Sequence, residues 1–116
     1  MAGSEERRGS TRVPFPTSVT VSLPTRQALV TANALDINLD GIRVISPEPL
    51  FLGEDALLTF QITSRSGVQV EEVWGRVVHT RMDDDAWVVG LKFNQVLDQR
   101  RTPLLARAAA NPDTQP

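Results

Sequence analysis

The sequence is organised around one polar corner, which reads Asp36-Ile37-Asn38-Leu39-Asp40-Gly41. The corner follows one predicted β-strand, residues 29–35, and precedes another, residues 42–45. Its polar residues recur at every second position, so in an extended chain they would share one face. Gly41 permits a backbone conformation that a side chain would penalise. The stretch predicts a tight corner with hydrogen-bonding groups on one side, although Asp, Asn and Gly are also common in plain turns.

Apolar residues alternate with polar ones on both sides of this corner, which predicts a series of short antiparallel strands. They fall at residues 18–23, 28–35, 42–45, 57–63, 68–80 and 87–93, with a bulge expected at Gly75. From residue 95 the apolar spacing becomes helical and continues to residue 109. The fold class is therefore all-β, a small antiparallel barrel with a C-terminal α-helix at one end. Residues 1–6 and 110–116 are expected to be disordered, residues 7–16 form an arm, and residues 17–93 form the barrel.

Composition excludes several classes of protein. The chain has 116 residues, enough for one domain, and a net charge of -2, which argues against general affinity for nucleic acid. It has no cysteine and a single histidine, His79, so neither a histidine-based metal site nor a nucleophilic triad is expected. The acidic run at residues 83–85 is expected to be a solvated hairpin tip. We predict a cytoplasmic protein that has no membrane segment and is not an enzyme.

Three arginines crowd the predicted arm, at Arg7, Arg8 and Arg12. A guanidinium matches the O6 and N7 edge of guanine and also grips phosphate oxygens. A carboxylate such as Asp36 can accept hydrogen bonds from the opposite guanine edge, and Asn38 can donate to a phosphate oxygen. Such an arginine cluster can also be an ordinary solvated arm. The arm and the corner together favour an anionic guanine nucleotide as ligand.

In this order and spacing the residues resemble the PilZ domain family, bacterial receptors for cyclic di-GMP. The RxxxR motif of the family is matched by residues 8–12, and its (D/N)xSxxG motif by residues 36–41, with Asn38 where serine is usual. The resemblance continues through residues 75–79 and 89–93 and covers about residues 6–108. It implies a six-stranded antiparallel β-barrel with a C-terminal helix.

The resemblance also implies roles for individual residues. Arg8 and Arg12 would hold guanine and phosphate, Asp36 would read a guanine edge, and Gly41 would let the backbone approach the ligand. Arg7 resembles the arginine of members that bind an intercalated pair of cyclic di-GMP molecules, where it stacks on guanine. His79 falls where relatives place an aromatic residue near guanine, and it can equally be an ordinary strand residue.

The expected function is that of a cyclic di-GMP receptor whose arm orders on binding and signals in trans to an effector protein that the sequence does not identify. One alternative is a degenerate PilZ-like adaptor that binds protein but no nucleotide. Another is a small barrel that binds single-stranded nucleic acid, which the aromatic content of 5% and the acidic net charge disfavour.

Overall fold

The computed structural model describes residues 11–110, with the exception of the Ser64 side chain. It consists of seven strands, a short 3-10 turn at Pro24–Arg26 and one α-helix. In chain order the elements are β1 Val13–Pro14, β2 Ser18–Leu23, β3 Ala28–Ile37, β4 Gly41–Ser46, β5 Asp55–Ser64, β6 Gly67–Asp83, β7 Ala86–Phe93 and α1 Pro103–Ala110. None of the helices among the described residues is long and apolar enough to cross a membrane.

The strands close into a six-stranded antiparallel barrel, as predicted. The sheet order is β1-β3-β2-β5-β6-β7-β4, and an additional pairing of β3 with β4 completes the ring. Strand β1 is not part of this ring. It is only two residues long and pairs with the end of β3 through Val13–Ile37 and Pro14–Asp36. Closure satisfies the backbone hydrogen bonds that an open sheet would expose.

The barrel interior is filled by the inward side chains of every strand. Phe60 is fully buried at its centre, and the half-buried ring of Phe15 packs on it with 6.1 Å between ring centroids. The backbone of this segment is fixed as well, because the Phe15 N–H donates to the Leu35 carbonyl at 2.9 Å. The base of the N-terminal arm is therefore anchored to the barrel core.

Two β-bulges interrupt the regular alternation. One lies in β3 between Ala34 and Asp36, and the other lies in β6 between Val77 and His79. Ala34 and Val77 point into the core, so strict alternation along the present sequence would direct Asp36 and His79, two residues later, inward too. The bulges turn Asp36 toward its cross-strand partner Arg43 and His79 toward Gly90.

The bulge predicted at Gly75 is wrong. Gly75 pairs in regular register with both Ala56 and Phe93. A side chain there would press on the Lys92 carbonyl oxygen, which lies 3.1 Å from the position of a Cβ. Gly75 therefore permits close strand packing, and the irregularity of β6 lies at Val78.

The predicted helix over residues 95–109 is also shorter than expected, since α1 begins at Pro103. The segment before α1 contains a turn at Asp98. The Asp98 carboxylate accepts hydrogen bonds from the N–H groups of Arg100 and Arg101 at 2.8 Å each. The proline then takes the first helical position, where its missing N–H costs nothing.

A buried carboxylate on the barrel caps the start of this helix. Glu71 of β6 is 7% exposed, and its two oxygens accept hydrogen bonds from the N–H groups of Leu104 and Leu105, each at 2.9 Å. A negative charge at a helix N-terminus is also favoured by the helix dipole. Glu71 thus fixes α1 to the barrel.

Candidate functional site

Asp36 is the centre of the candidate site. It lies near the end of β3, is 9% exposed, and is turned outward by the bulge before it. Arg12 donates from Nη1 to its Oδ1 at 3.3 Å. The short β1 pairing holds Pro14 directly beside Asp36, which places Arg12 over the carboxylate. The structure thus brings together one predicted arm residue and the predicted corner residue.

Arg43 is a site residue that the sequence did not identify. Its Nε donates to Oδ1 of Asp36 at 3.1 Å and to Oδ2 at 2.9 Å, and its Nη2 also bonds Oδ2. These hydrogen bonds raise the pKa of Arg43 above its ordinary value, against the opposing effect of desolvation. Arg43 is exposed, but it is held in place by the carboxylate opposite.

The cluster carries one more positive than negative charge, because two guanidinium groups share one carboxylate. Arg12 and Arg43 remain 35% and 44% exposed at their side chains, whereas that of Asp36 is 12% exposed. The cationic groups therefore face solvent above a more deeply set carboxylate. This arrangement favours an anionic ligand approaching from outside the barrel.

Asn38 holds the corner in shape. Its Oδ1 accepts hydrogen bonds from the N–H groups of Asp40 and Gly41, both at 2.8 Å, and its own N–H donates to the Gly41 carbonyl at 2.9 Å. The two backbone donors fix which end of the side-chain amide is the oxygen. The Nδ2 group donates to no group in the described part of the chain.

The reason for Gly41 differs from the one predicted. Gly41 does not have positive φ; among the described glycines only Gly53 and Gly67 do. Instead it pairs across from Lys92, and a Cβ would lie well inside van der Waals contact of the Leu91 carbonyl oxygen. Glycine is required here because β4 and β7 approach too closely for a side chain.

The shared face predicted for residues 36, 38 and 40 is also different in the structure. The strand ends at Ile37, and Asn38 and Asp40 belong to the turn. The corner is organised by the Asn38 side chain and by the bulge before Asp36, not by strand alternation.

His79 lies in the same cross-strand row as Asp36. The row runs from Asp36 through Arg43 and Gly90 to His79, on the outer surface of β3, β4, β7 and β6. His79 is exposed, and its Cβ is 3.4 Å from the position of a Cβ on Gly90. Gly90 has no side chain of its own, and its backbone is buried between Arg43 and His79.

The predicted arm residues Arg7 and Arg8 lie outside the described residues, so their part in the site stays a prediction. Lys92 was not predicted and lies two pairs away from the row, opposite Gly41 and Arg76. It is exposed and makes no ion pair within residues 11–110. It extends the cationic surface along β7.

Comparison with family models matches residues 6–108 to the PilZ domain. The chain belongs to the PilZ domain family. Among solved structures, the PilZ domain here is similar to that of the Bacillus subtilis inhibitor of motility MotI/DgrA, with a TM-score of 0.66 and 16% sequence identity. The match covers 84% of this chain and 47% of that protein, so this chain spans about half its length. A comparison with curated proteins found no match.

Family membership confirms the resemblance drawn from the two motifs, and the solved structure agrees with the barrel fold. Family membership places the chain among cyclic di-GMP-binding domains, which are receptors and adaptors. The residues of both motifs that the structure describes, Arg12 and residues 36–41, lie together at one end of β3.

Proposed function

We propose that this PilZ domain is a receptor for cyclic di-GMP. The observation that carries the proposal is the outward-facing carboxylate of Asp36, set between Arg12 and Arg43 and next to the Asn38 amide, whose Nδ2 has no acceptor within residues 11–110. The O6 and N7 edge of guanine carries acceptors that match a guanidinium. The opposite edge carries donors, from which a carboxylate can accept hydrogen bonds. The ligand phosphates require cationic and neutral donors nearby, which the same cluster supplies.

Asp36 must exchange partners for this ligand to bind. Its oxygens already accept four hydrogen bonds, three from Arg43 and one from Arg12, which is about the full capacity of a carboxylate. In the proposal, guanine replaces part of the Arg43 contact, and the released guanidinium turns toward a phosphate. In the proposal, a flat ring lies between Arg43 and His79, at the position where Gly90 carries no side chain.

The arm completes the site. Arg8 lies four residues before Arg12, and we propose that it closes over the bound nucleotide while Arg7 stacks on a guanine face. Ordering the arm costs conformational free energy, so the affinity for a single nucleotide is modest and a second, intercalated nucleotide strengthens it. The ordered arm then presents a new surface to an effector protein.

The test is isothermal titration calorimetry of the full chain with cyclic di-GMP. Arg8→Ala, Arg12→Ala and Asp36→Ala are each expected to weaken binding at least tenfold, equivalent to about 1.4 kcal/mol or more. Arg107→Ala is the matched control, because it removes an exposed arginine of α1 and should leave affinity unchanged. Unchanged affinity in all three site variants would remove the site assignment. Arg7→Ala is expected to reduce the stoichiometry from two nucleotides to one.

One observation favours the alternative of an adaptor without nucleotide. The same saturation of Asp36 by arginine gives a self-contained ion cluster that needs no ligand. A wild-type protein that gives no binding heat with cyclic di-GMP at low salt, while remaining folded, would establish the adaptor. Low salt is chosen because it strengthens charge attraction and so gives the receptor its best chance.

A further inference from the structure

A different part of the barrel has an incomplete strand edge. The 17-residue strand β6 pairs with β5 along Gly67–Arg76 and with β7 only from Gly75 onward. Residues 68–73 of β6 therefore have a neighbouring strand on one side only. On the other side no strand is paired with these residues, because β7 ends at Phe93 and the chain leaves the sheet there. We call this unpaired side of residues 68–73 the vacant lane.

Backbone hydrogen-bonding groups point into this vacant lane. The Trp74 carbonyl accepts from the Asn94 N–H on the β7 side, whereas the Val77 backbone bonds to Gly53 and Glu54 on the β5 side. Because alternate residues of a strand direct these groups to opposite sides, Val68, Val70 and Glu72 direct theirs into the lane. Within residues 11–110, no side chain or loop hydrogen-bonds to these three backbones.

The first part of the edge carries none of the usual protection against pairing, because residues 68–70 contain no charge, no proline and no bulge. Glu71 turns inward to cap α1, and Glu72 is the one exposed charge within residues 68–73. Three of the four outward side chains between residues 68 and 74 are apolar and exposed, Val68 at 63%, Val70 at 57% and Trp74 at 44%, with Glu72 between the last two. Val96 adds a further apolar side chain at 57% exposure from the loop beyond β7. An unprotected apolar edge of this kind is a site for strand addition.

Residues 1–10 and 111–116 are polar and lack the apolar alternation of a strand. Neither segment is suited to pair with this edge.

An acidic cleft lies at the head of the vacant lane. It has a volume of about 280 Å³. It is lined by Glu72 and Trp74 of β6 and by the segment after β7, which includes Asp98. Its one arginine, Arg101, is held by the side chain of Gln95 at 3.2 Å. At the other end of the same edge, the hairpin turn carries Arg65, which is exposed and makes no ion pair in the described part of the chain.

We propose that the occupant is a second copy of this chain, paired antiparallel through β6 about a two-fold axis at Val70. In this register Val70 faces the partner's Val70, and Glu72 faces the partner's Val68. Both members of each pair direct their backbone groups into the lane, and no like charges are opposed. The hairpin turn of each copy then reaches the acidic cleft of the other, where the partner's Arg65 meets Glu72 and Asp98.

This interface is independent of the nucleotide site. Val70 is nine residues from His79 along the same strand, a separation of about 30 Å. The dimer and the receptor function can therefore be tested separately, and either can fail without the other.

Sedimentation velocity of the full chain over a wide range of concentration tests the proposal. We expect a monomer–dimer equilibrium that Val70→Lys weakens at least tenfold, because two lysines then meet at the axis. Leu29→Lys is the matched control, since it adds the same charge to an apolar residue that is 72% exposed on β3. Thermal unfolding of each variant verifies that it is folded.

A charge exchange and an amide measurement make the test specific. Arg65→Glu and Glu72→Arg should each weaken the dimer, and the double variant should restore part of the lost affinity. Amide exchange should become slower with concentration at Val68, Val70 and Glu72, but not at the alternate positions already bonded to β5. A wild type that stays monomeric throughout, or a dimer indifferent to Val70→Lys, would overturn the proposal, as would an edge occupied only by a different protein.

Discussion

Two substitutions of Asn38 separate its structural role from its role toward a ligand. Asn38→Ala removes the acceptor for two backbone N–H groups, one of them on the buried Gly41. A buried donor left without a partner costs about 1–3 kcal/mol, and the more exposed Asp40 amide adds about 0.5–1.5 kcal/mol. The free energy of unfolding should therefore fall by about 2–4 kcal/mol in total. For a domain of this size that lowers Tm by about 10–20 °C.

Asn38→Asp keeps the acceptor and removes the donor. The carboxylate oxygen can still accept from Asp40 and Gly41, so we expect stability within about 1 kcal/mol of the wild type. The Nδ2 group is lost, and a negative charge takes its place beside the proposed phosphate position. Affinity for cyclic di-GMP should therefore fall at least tenfold, about 1.4 kcal/mol.

Urea unfolding and calorimetric titration of the two variants check both parts. Asn38→Ser, which introduces the residue usual in the family, is the conservative control and should retain binding. The reasoning is refuted if the aspartate variant binds as tightly as the wild type, since the amide would then donate nothing to the ligand. It is equally refuted if the alanine variant is as stable as the wild type.

Three further predictions concern the barrel. Gly41→Ala should destabilise the fold by about 3 kcal/mol or more, because a Cβ there overlaps the Leu91 carbonyl; urea unfolding measures the loss. Glu71→Ala should cost about 1–3 kcal/mol by leaving two amides at the start of α1 without acceptors, and Glu71→Gln should cost less, as thermal unfolding would show. Burial alone would raise the pKa of Glu54, but hydrogen bonds from Arg26 and from a backbone N–H outweigh it and lower that pKa below its usual value. Its stabilising effect is therefore complete above the unfolded pKa of about 4.3 and is lost as pH falls through the folded pKa, a loss that Arg26→Gln should abolish in Tm measured against pH.

Strand alternation and motif spacing were enough to predict the barrel, because closure needs only regular inward-facing residues and turns of the right length. The resemblance carried by the two motifs assigned Arg12 and Asp36 to one site, and the two side chains are in contact. The C-terminal helix was predicted too long because apolar spacing alone does not reveal that Asp98 forms a turn before Pro103.

Arg43 was missed for a physical reason. With regular pairing, Leu35 rather than Asp36 would lie opposite Arg43, and only the bulge brings the carboxylate into line with it. A one-residue irregularity leaves no clear mark in the hydrophobic pattern. The same limit applies at Val78, where the predicted bulge was assigned to a glycine instead.

The two bulges have a consequence for how this chain tolerates changes of length. Deletion of Leu35 or Val78 would remove the extra residue and leave a regular pleat in which Asp36 still pairs with Arg43 and His79 still pairs with Gly90. Deletion of a residue from a regular part of β3 or β6 would instead reverse the facing of every side chain beyond it and expose core residues. Single-residue deletions at Leu35 and Val78 should therefore preserve the outer row, whereas deletions elsewhere in these two strands should abolish the fold.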